Sequence, residues 1–396
     1  MSCVKAIRFQ FEPNSKLNEL LVIFRDLTNF CLQKGLKNNV TSRFRLIKLV
    51  YEKSKKFGLH THYVLNACEV ACAILKNYRR YKKNKIPEVR KLFLKLDNQT
   101  YKIENGCLRI PFEPREFVYL KLRYGNYQKQ FLENKTLKFG SVTVLTQDIL
   151  LSVKKESNVI EPKSKVALDL NERNLTSINN DNNVKIYDLT EIQKTHHTYY
   201  LKRKNIQRKV KNRKLRKQLL EKYSGIEKRK VEWLLHNVSK RIVEDNPNSE
   251  IIMENLKGIR NFINKRKLKR NKYNGKIQAH RTKSKRLLRR LNSWNFRKLQ
   301  KFIEYKALWN GDLVSYVNPR GTSSTCPICG NKSDPNGRLF ECECGFKMNR
   351  DLLACYNILK MKGVWFSPDS VLMTRTTDER ETQDVKFGLI NLSTRT

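Results

Sequence analysis

Val166-Ala167-Leu168-Asp169 and Glu250-Ile251-Ile252-Met253-Glu254 are two short apolar runs, each ending in a carboxylate. A continuous apolar run of this length reads as a strand covered on both faces. The first is followed by Asn174-Leu175-Thr176-Ser177-Ile178 and Val184-Lys185-Ile186-Tyr187, joined by the turn Asn179-Asn180-Asp181-Asn182-Asn183. Three strands in succession make a meander whose first strand is free to be central. A third acid, Asp351, opens a helix predicted over Leu352 to Lys360. Taken singly, an acid at a strand end or a helix start has an ordinary explanation as a turn residue or a cap. Taken together they have a second explanation. Two Mg²⁺ ions about 4 Å apart need hard carboxylate ligands brought from separate elements. The three acids are 85 and 97 residues apart, so only tertiary folding could bring them together.

The surroundings of these acids are basic. Lys and Arg total 82 against 37 Asp and Glu, a net charge of +45 over 396 residues. Such an excess repels itself unless a polyanion neutralises it, which makes nucleic acid the first candidate partner. Two dense runs stand out. Lys202-Arg203-Lys204, Arg208-Lys209, Lys211, Arg213-Lys214 and Arg216-Lys217 span about five helical turns, and a second run extends from Lys257 to Arg290. Their few aromatics point to phosphate rather than base contacts. Between them, Val231, Leu234, Leu235, Val238 and Ile242 give a helix over Ile226–Val243 a clear apolar face. No stretch approaches the ~20 apolar residues of a membrane span, and the first residues carry no signal core. A membrane partner is not expected, and a cytoplasmic location is.

Residues 1–155 read as strands interrupted by helices. Ala6–Phe11 alternates like a half-buried strand, and helices are predicted from Lys16 to Lys34 and from His60 to Tyr81. Tyr101–Glu104 and Cys107–Ile110 flank Asn105-Gly106, a hairpin signal. Phe117–Leu122 and Ser141–Leu145 are further strands, and a small β-barrel with a helical insertion at about 15–92 fits this order. Cys68 and Cys72 fall four apart on one helix face, where core packing explains them. Tyr78-Arg79-Arg80-Tyr81-Lys82-Lys83 interleaves aromatics with bases, a candidate stacking and phosphate patch.

Ten cysteines occur, six of them scattered. The other four form Cys326-Pro327-Ile328-Cys329-Gly330 and Cys342-Glu343-Cys344-Gly345. Two close thiolate pairs suit a tetrahedral structural Zn²⁺ site, with glycines allowing the backbone to turn over the sulfurs. The second pair, C-x-C, is one residue tighter than the usual spacing.

At this point the residues resemble a known family. Thr322–Gly330, Phe340-Glu341-Cys342, Cys344-Gly345 and Asn349-Arg350-Asp351-Leu352 resemble the C-terminal end of TnpB, the transposon-encoded OrfB protein often described as a transposase. The resemblance extends back through Ser293–Phe296, Phe302–Ala307 and Ile252–Leu256 to Ala167–Asn171. It implies an α+β multidomain protein. After the N-terminal barrel would come an RNase H-like (RuvC) α/β nuclease domain, split over 160–321 and 349–362. A zinc ribbon would be inserted at 322–348, and a polar tail at 363–396 is expected to be mobile. It implies an RNA-guided DNA endonuclease of a mobile element, related to compact type V CRISPR effectors. Asp169, Glu254 and Asp351 would bind Mg²⁺ as catalytic acids, and Cys326, Cys329, Cys342 and Cys344 would hold Zn²⁺. Partners would be a guide RNA from the element end and target double-stranded DNA with a short flanking motif. Candidate nucleic-acid contacts are Tyr78, Arg79, Arg80, Lys202, Arg203, Arg208, Arg213, Arg266, Arg270 and Arg350. The alternatives are a transposase that joins strands and a guide-dependent repressor that does not cut.

Overall fold

The structure is a computed structural model that describes residues 2–12, 14–81, 86–113, 115–156, 160–270, 275 and 277–365. The polar tail beyond Trp365 and the Lys82-Lys83 end of the basic–aromatic patch lie outside the described residues. Two compact units divide the chain, Ser2–Glu156 and one that begins at Ser157.

In the first unit the elements run β1 (Ser2–Phe11), α1 (Ser15–Lys37), α2 (Arg43–Ser54), α3 (Thr61–Tyr81), β2 (Leu94–Leu96), β3 (Lys102–Glu104), β4 (Cys107–Pro111), β5 (Phe117–Arg123), α4 (Asn126–Glu133), β6 (Lys138–Val144) and β7 (Asp148–Glu156). The strands form one antiparallel seven-stranded sheet, ordered β2-β6-β7-β1-β5-β4-β3. Alternation in β1 buries Cys3, Ile7, Phe9 and Phe11 and exposes Val4. The β3–β4 turn has positive φ at both Asn105 (49°) and Gly106 (72°), the geometry a two-residue primed turn requires. Helices α1 and α3 bury Phe24, Leu27 and Cys31 with Ala67, Cys68 and Leu75. Cys31 Sγ lies 3.8 Å from Cys68 Sγ, so these thiols are core packing.

The second unit contains β8 (Ser164–Leu170), β9 (Asn174–Asn179), β10 (Val184–Asp188), α5 (Thr190–Lys209), α6 (Arg213–Glu244), β11 (Ser249–Glu254), α7 (Ile259–Ile263), β12 (Arg266–Arg270), β13 (Ile277–Arg281), α8 (Lys285–Ser293), α9 (Phe296–Asn310), β14 (Leu313–Val317), β15 (Leu339–Glu341), β16 (Lys347–Asn349) and α10 (Arg350–Lys360). A five-stranded sheet runs β10-β9-β8-β11-β14. Its β10-β9-β8 half is the antiparallel meander, and β8-β11-β14 are parallel. Strand β8 is therefore central and covered on both faces. Val166, Leu168, Ile251 and Met253 join α5, α6 and α9 in one core through Ile192, Leu235, Val238 and Ile303. Ala167 and Ile252 point to the opposite face and pack with Leu353, Tyr356 and Ile358 of α10 and with Phe340 and Phe346.

The first basic run is not one continuous helix. It breaks at Val210–Asn212, where the Asn212 side chain accepts from the Leu215 amide and starts α6. The 32 residues of α6 then take in both Arg213–Lys217 and the predicted apolar helix. Among the described residues no helix is long and apolar enough to cross a membrane.

Candidate active site and metal centre

The side-chain period of two decides where the first two acids point. Leu168 and Met253 are partners in the parallel β8–β11 register and face α6, so the next residues, Asp169 and Glu254, face α10. They sit side by side at the C-terminal ends of adjacent parallel strands. Asp351 enters from the first turn of α10, whose N-cap Asn349 accepts from the Asp351 amide at 2.9 Å. The structure thus brings the three acids together.

Asp169 and Asp351 are each 8% exposed. Burial, reinforced by the charges of Glu254 and Asp351, pushes the Asp169 carboxyl up to about 7. Burial also raises Glu254. Each acid is held by hydrogen-bond donors. Asn171 Nδ2 donates to Asp169 Oδ2 at 2.7 Å, and Thr322 Oγ1 donates to Glu254 Oε1 at 2.5 Å. Asn174 Nδ2 and Arg338 each donate to Asp351 Oδ2, at 3.1 and 2.7 Å. Trp294 Nε1 donates to the Asn171 carbonyl at 3.1 Å and fixes the loop after Asp169. Asn174 Oδ1 and Thr176 Oγ1 are buried without a hydrogen-bond partner among the described residues. Three clustered carboxylates with an orphaned amide oxygen beside them form a hard-oxygen donor set that suits a divalent cation.

The four cysteines also converge. All their sulfurs lie within 4.8 Å of one another, with Cys326–Cys344 at 3.7 Å and Cys329–Cys342 at 3.4 Å. Sulfurs about 2.3 Å from a tetrahedral ion would be about 3.8 Å apart, so the cluster fits a Zn²⁺-sized ion. Amides of Gly330 and Gly345 close turns onto the Cys326 and Cys342 carbonyls at 3.1 and 2.9 Å. Both glycines have positive φ, 78° and 83°, which lets the tighter C-x-C turn form. A hydrogen bond from the Asn331 backbone lowers the Cys329 thiol to about 7, whereas burial raises Cys326. Asn357 of α10 donates to the Thr322 and Thr325 carbonyls, tying this segment to the helix that carries Asp351.

Of the candidate nucleic-acid residues, Tyr78, Arg79 and Arg80 belong to the first unit and the others to the second. Arg79, Arg80, Lys202, Arg208, Arg213, Arg266, Arg270 and Arg350 are exposed and Tyr78 is half-buried. Arg79 donates to Asn39, and the Lys202 ammonium lies over the Tyr199 ring at 5.1 Å. Arg203 turns inward and pairs with Glu227, which also accepts from His196 Nδ1 at 2.7 Å. Asn171, Asn174, Thr322 and Arg338 were missed in the sequence. Their only signal is polarity within or beside the quoted motifs.

These features define a mixed α/β protein with a buried carboxylate cluster and a four-cysteine cluster, and its relatives name the family. The TnpB-like protein MJ0751 of Methanocaldococcus jannaschii is 39% identical over 289 residues, 69% of this chain and 98% of that protein. The TnpB-like protein MJ1635 of the same organism is 26% identical over 364 residues, covering 89% of this chain and 81% of that one. The CRISPR-associated endodeoxyribonuclease Cas12f2 of a Micrarchaeota archaeon is 34% identical over 143 residues, 33% of this chain and 23% of its own. Residues 296–358 match the family described as Cas12f1-like, TNB domain, and residues 20–111 match the uncharacterized protein MJ0013 family. The chain belongs to the TnpB family, related to the compact type V effectors. Its fold is similar to that of Cas12f1 in a complex with sgRNA and target DNA (TM-score 0.51, 12% identity), with 90% of this chain and 98% of that one covered.

Proposed function

We propose that this protein is an RNA-guided DNA endonuclease whose RNase H-like (RuvC) domain spans residues 160–321 and 349–362. The observation that carries this reading is the convergence of Asp169, Glu254 and Asp351 from β8, β11 and α10 on one face of the sheet. The relatives' printed names support the class: one is an endodeoxyribonuclease, and the similar fold was solved with a guide RNA and target DNA. Residues 1–155, as a β-barrel with helices inserted at about 15–92, would hold the guide and read a short flanking DNA motif. Cys326, Cys329, Cys342 and Cys344 would hold Zn²⁺ in a ribbon over 322–348.

Asp169, Glu254 and Asp351 would hold a pair of Mg²⁺ ions. When bound, such a pair supplies an activated water and stabilises the leaving oxygen of an in-line displacement. The chain's own part is orientation. Asn171 aims one Asp169 oxygen, Thr322 holds Glu254, and Asn174 with Arg338 fixes Asp351. Sequence choice falls to guide pairing, while Lys and Arg neutralise phosphates.

The test is to sequence the RNA that copurifies when the protein is expressed with its native flanking DNA. The recovered guide is then used in a Mg²⁺-dependent cutting assay. One discrete RNA with a variable end, and cuts at its matching DNA, are expected. Heterogeneous RNA without guided cutting would overturn the reading. Joined strands would favour a transposase, and binding without cuts a repressor.

A further inference from the structure

We infer that the base of the β12–β13 hairpin is a built site for a nucleic-acid phosphodiester, formed by Lys265, Arg266, Arg281, Lys285 and Arg289. The inference rests on the nucleic-acid partner proposed above, and it adds a defined phosphate site outside the carboxylate cluster.

These five cations line a cavity of about 430 Å³, and among the described residues no carboxylate lines it with them. Buried Ile263 and Leu288 contribute the apolar part of its lining. Asn264 and Asn292, also in the lining, exchange side-chain hydrogen bonds at 3.0 Å and lock α7 to α8. Lys285 and Arg289 are four apart on α8 and so share a face. The Arg289 guanidinium is stacked 3.7 Å over the Tyr200 ring of α5, which pre-orients it.

A second observation comes from the register. Arg266 and Arg281 are direct partners across the antiparallel hairpin. Like charges directly opposite each other destabilise a strand pair. Neither arginine forms an ion pair with an acid among the described residues, whereas an anion between them would turn the repulsion into two charge-assisted hydrogen bonds. The hairpin also presents exposed Leu268 (73%) and Ile277 (70%), as a surface that covers a ligand would. The site is tethered to the carboxylate cluster. Arg290 of α8 pairs with Glu172 at 2.7 Å, and Trp294 just beyond α8 holds Asn171. A strand threaded past this cavity is the ligand its charge and position fit. A bound phosphodiester there would anchor a single strand beside the three acids.

The probe is a single-stranded 15-nucleotide oligothymidylate, read by binding and by arginine footprinting, neither of which needs cutting. Arg266→Ala/Arg281→Ala should weaken binding about tenfold near physiological salt. It should also lower the slope of log K against log salt by about 0.7, the share of the one phosphate left without its cations. The charge-matched pair Lys228→Ala/Lys301→Ala should weaken binding less than threefold, and Arg266→Lys/Arg281→Lys should retain most of it. In the unaltered protein, bound oligonucleotide should cut hydroxyphenylglyoxal labelling of Arg266 and Arg281 at least threefold. Equal losses of affinity in the two alanine pairs, or unchanged labelling, would overturn the site. Protection in a protein that does not cut would keep the site and sink the nuclease reading. Guided cutting without protection would do the reverse.

Discussion

Arg338, from the segment between the two cysteine pairs, donates to Asp351 Oδ2 at 2.7 Å. One ion pair thus joins the four-cysteine segment to the carboxylate cluster. The Arg338 side chain is 62% exposed and the Asp351 side chain 11%. An exposed partner contributes little to folding, at most about 1 kcal/mol. Its effect on a crowded set of carboxylates is larger, because it fixes one oxygen and offsets one charge. Arg338→Ala should therefore slow guided cutting at least tenfold while melting within a few degrees of the unaltered protein. Single-turnover cleavage beside a melting curve checks this. Cutting at the normal rate would show that the pair is incidental.

The raised Asp169 carboxyl carries a pH signature. Its folded value of about 7 lies above the ordinary aspartate value. The unfolded chain therefore gives up this proton first as pH rises, and stability falls between about pH 4 and pH 7 and then levels off. About three pKa units correspond to about 4 kcal/mol at most. Asp169→Asn should remove that decline, so the variant should be more stable than the parent at pH 8 in a chelator and similar at pH 4. The same variant should not cut. Denaturant unfolding at the two pH values decides it, and parallel pH profiles for parent and variant would contradict the assignment.

The four-cysteine segment shares its core with the sheet. Phe340, Phe346 and Met348 pack in the cluster that includes Ala167, Ile252 and Tyr356. Losing one sulfur would free the ion and loosen the mount of Arg338 and Thr322 together. Cys342→Ser should abolish one equivalent of bound zinc, expose residues 322–348 to protease and stop cutting. The separate first unit, Ser2–Glu156, should keep its protease resistance. Elemental analysis with limited proteolysis reads both. Full zinc content in the variant would place the ion elsewhere.

Much of this site was legible because strand chemistry is local. The apolar runs ending at Asp169 and Glu254 determine both strand and face, since alternation sends Leu168 and Met253 to one side and the acids to the other. The Asn105-Gly106 turn and the buried face of α6 were readable for the same reason. Strand β14 was not read. Its Leu313–Val317 segment is a parallel edge strand whose residues are mostly half-buried, so it lacks a clean alternation. The hairpin β12–β13 is rich in Lys and Arg and read only as charge. Arg338, Asn174 and Thr322 reach their acids over 13, 177 and 68 residues, and no local pattern encodes such a partner.

Arg203 shows how a charge run can mislead, and it supplies the last prediction. Composition puts it among phosphate-binding residues, yet it turns to Glu227, which is 9% exposed and also holds His196. His196 Nε2 in turn meets Asn295 Nδ2 at 2.7 Å, at the start of α9. The network ties α5, α6 and α9 together. Removing Arg203 leaves a buried carboxylate short of its cation, a loss that costs about 1–3 kcal/mol. Arg208, one helical turn and a half further on, is exposed and has no acid partner among the described residues. Arg203→Ala should therefore lower stability by that amount with little change in the salt slope of nucleic-acid binding. Arg208→Ala should leave melting unchanged and reduce that slope by the share of about one phosphate. If the two variants exchanged these phenotypes, the inward turn of Arg203 would not describe the protein in solution.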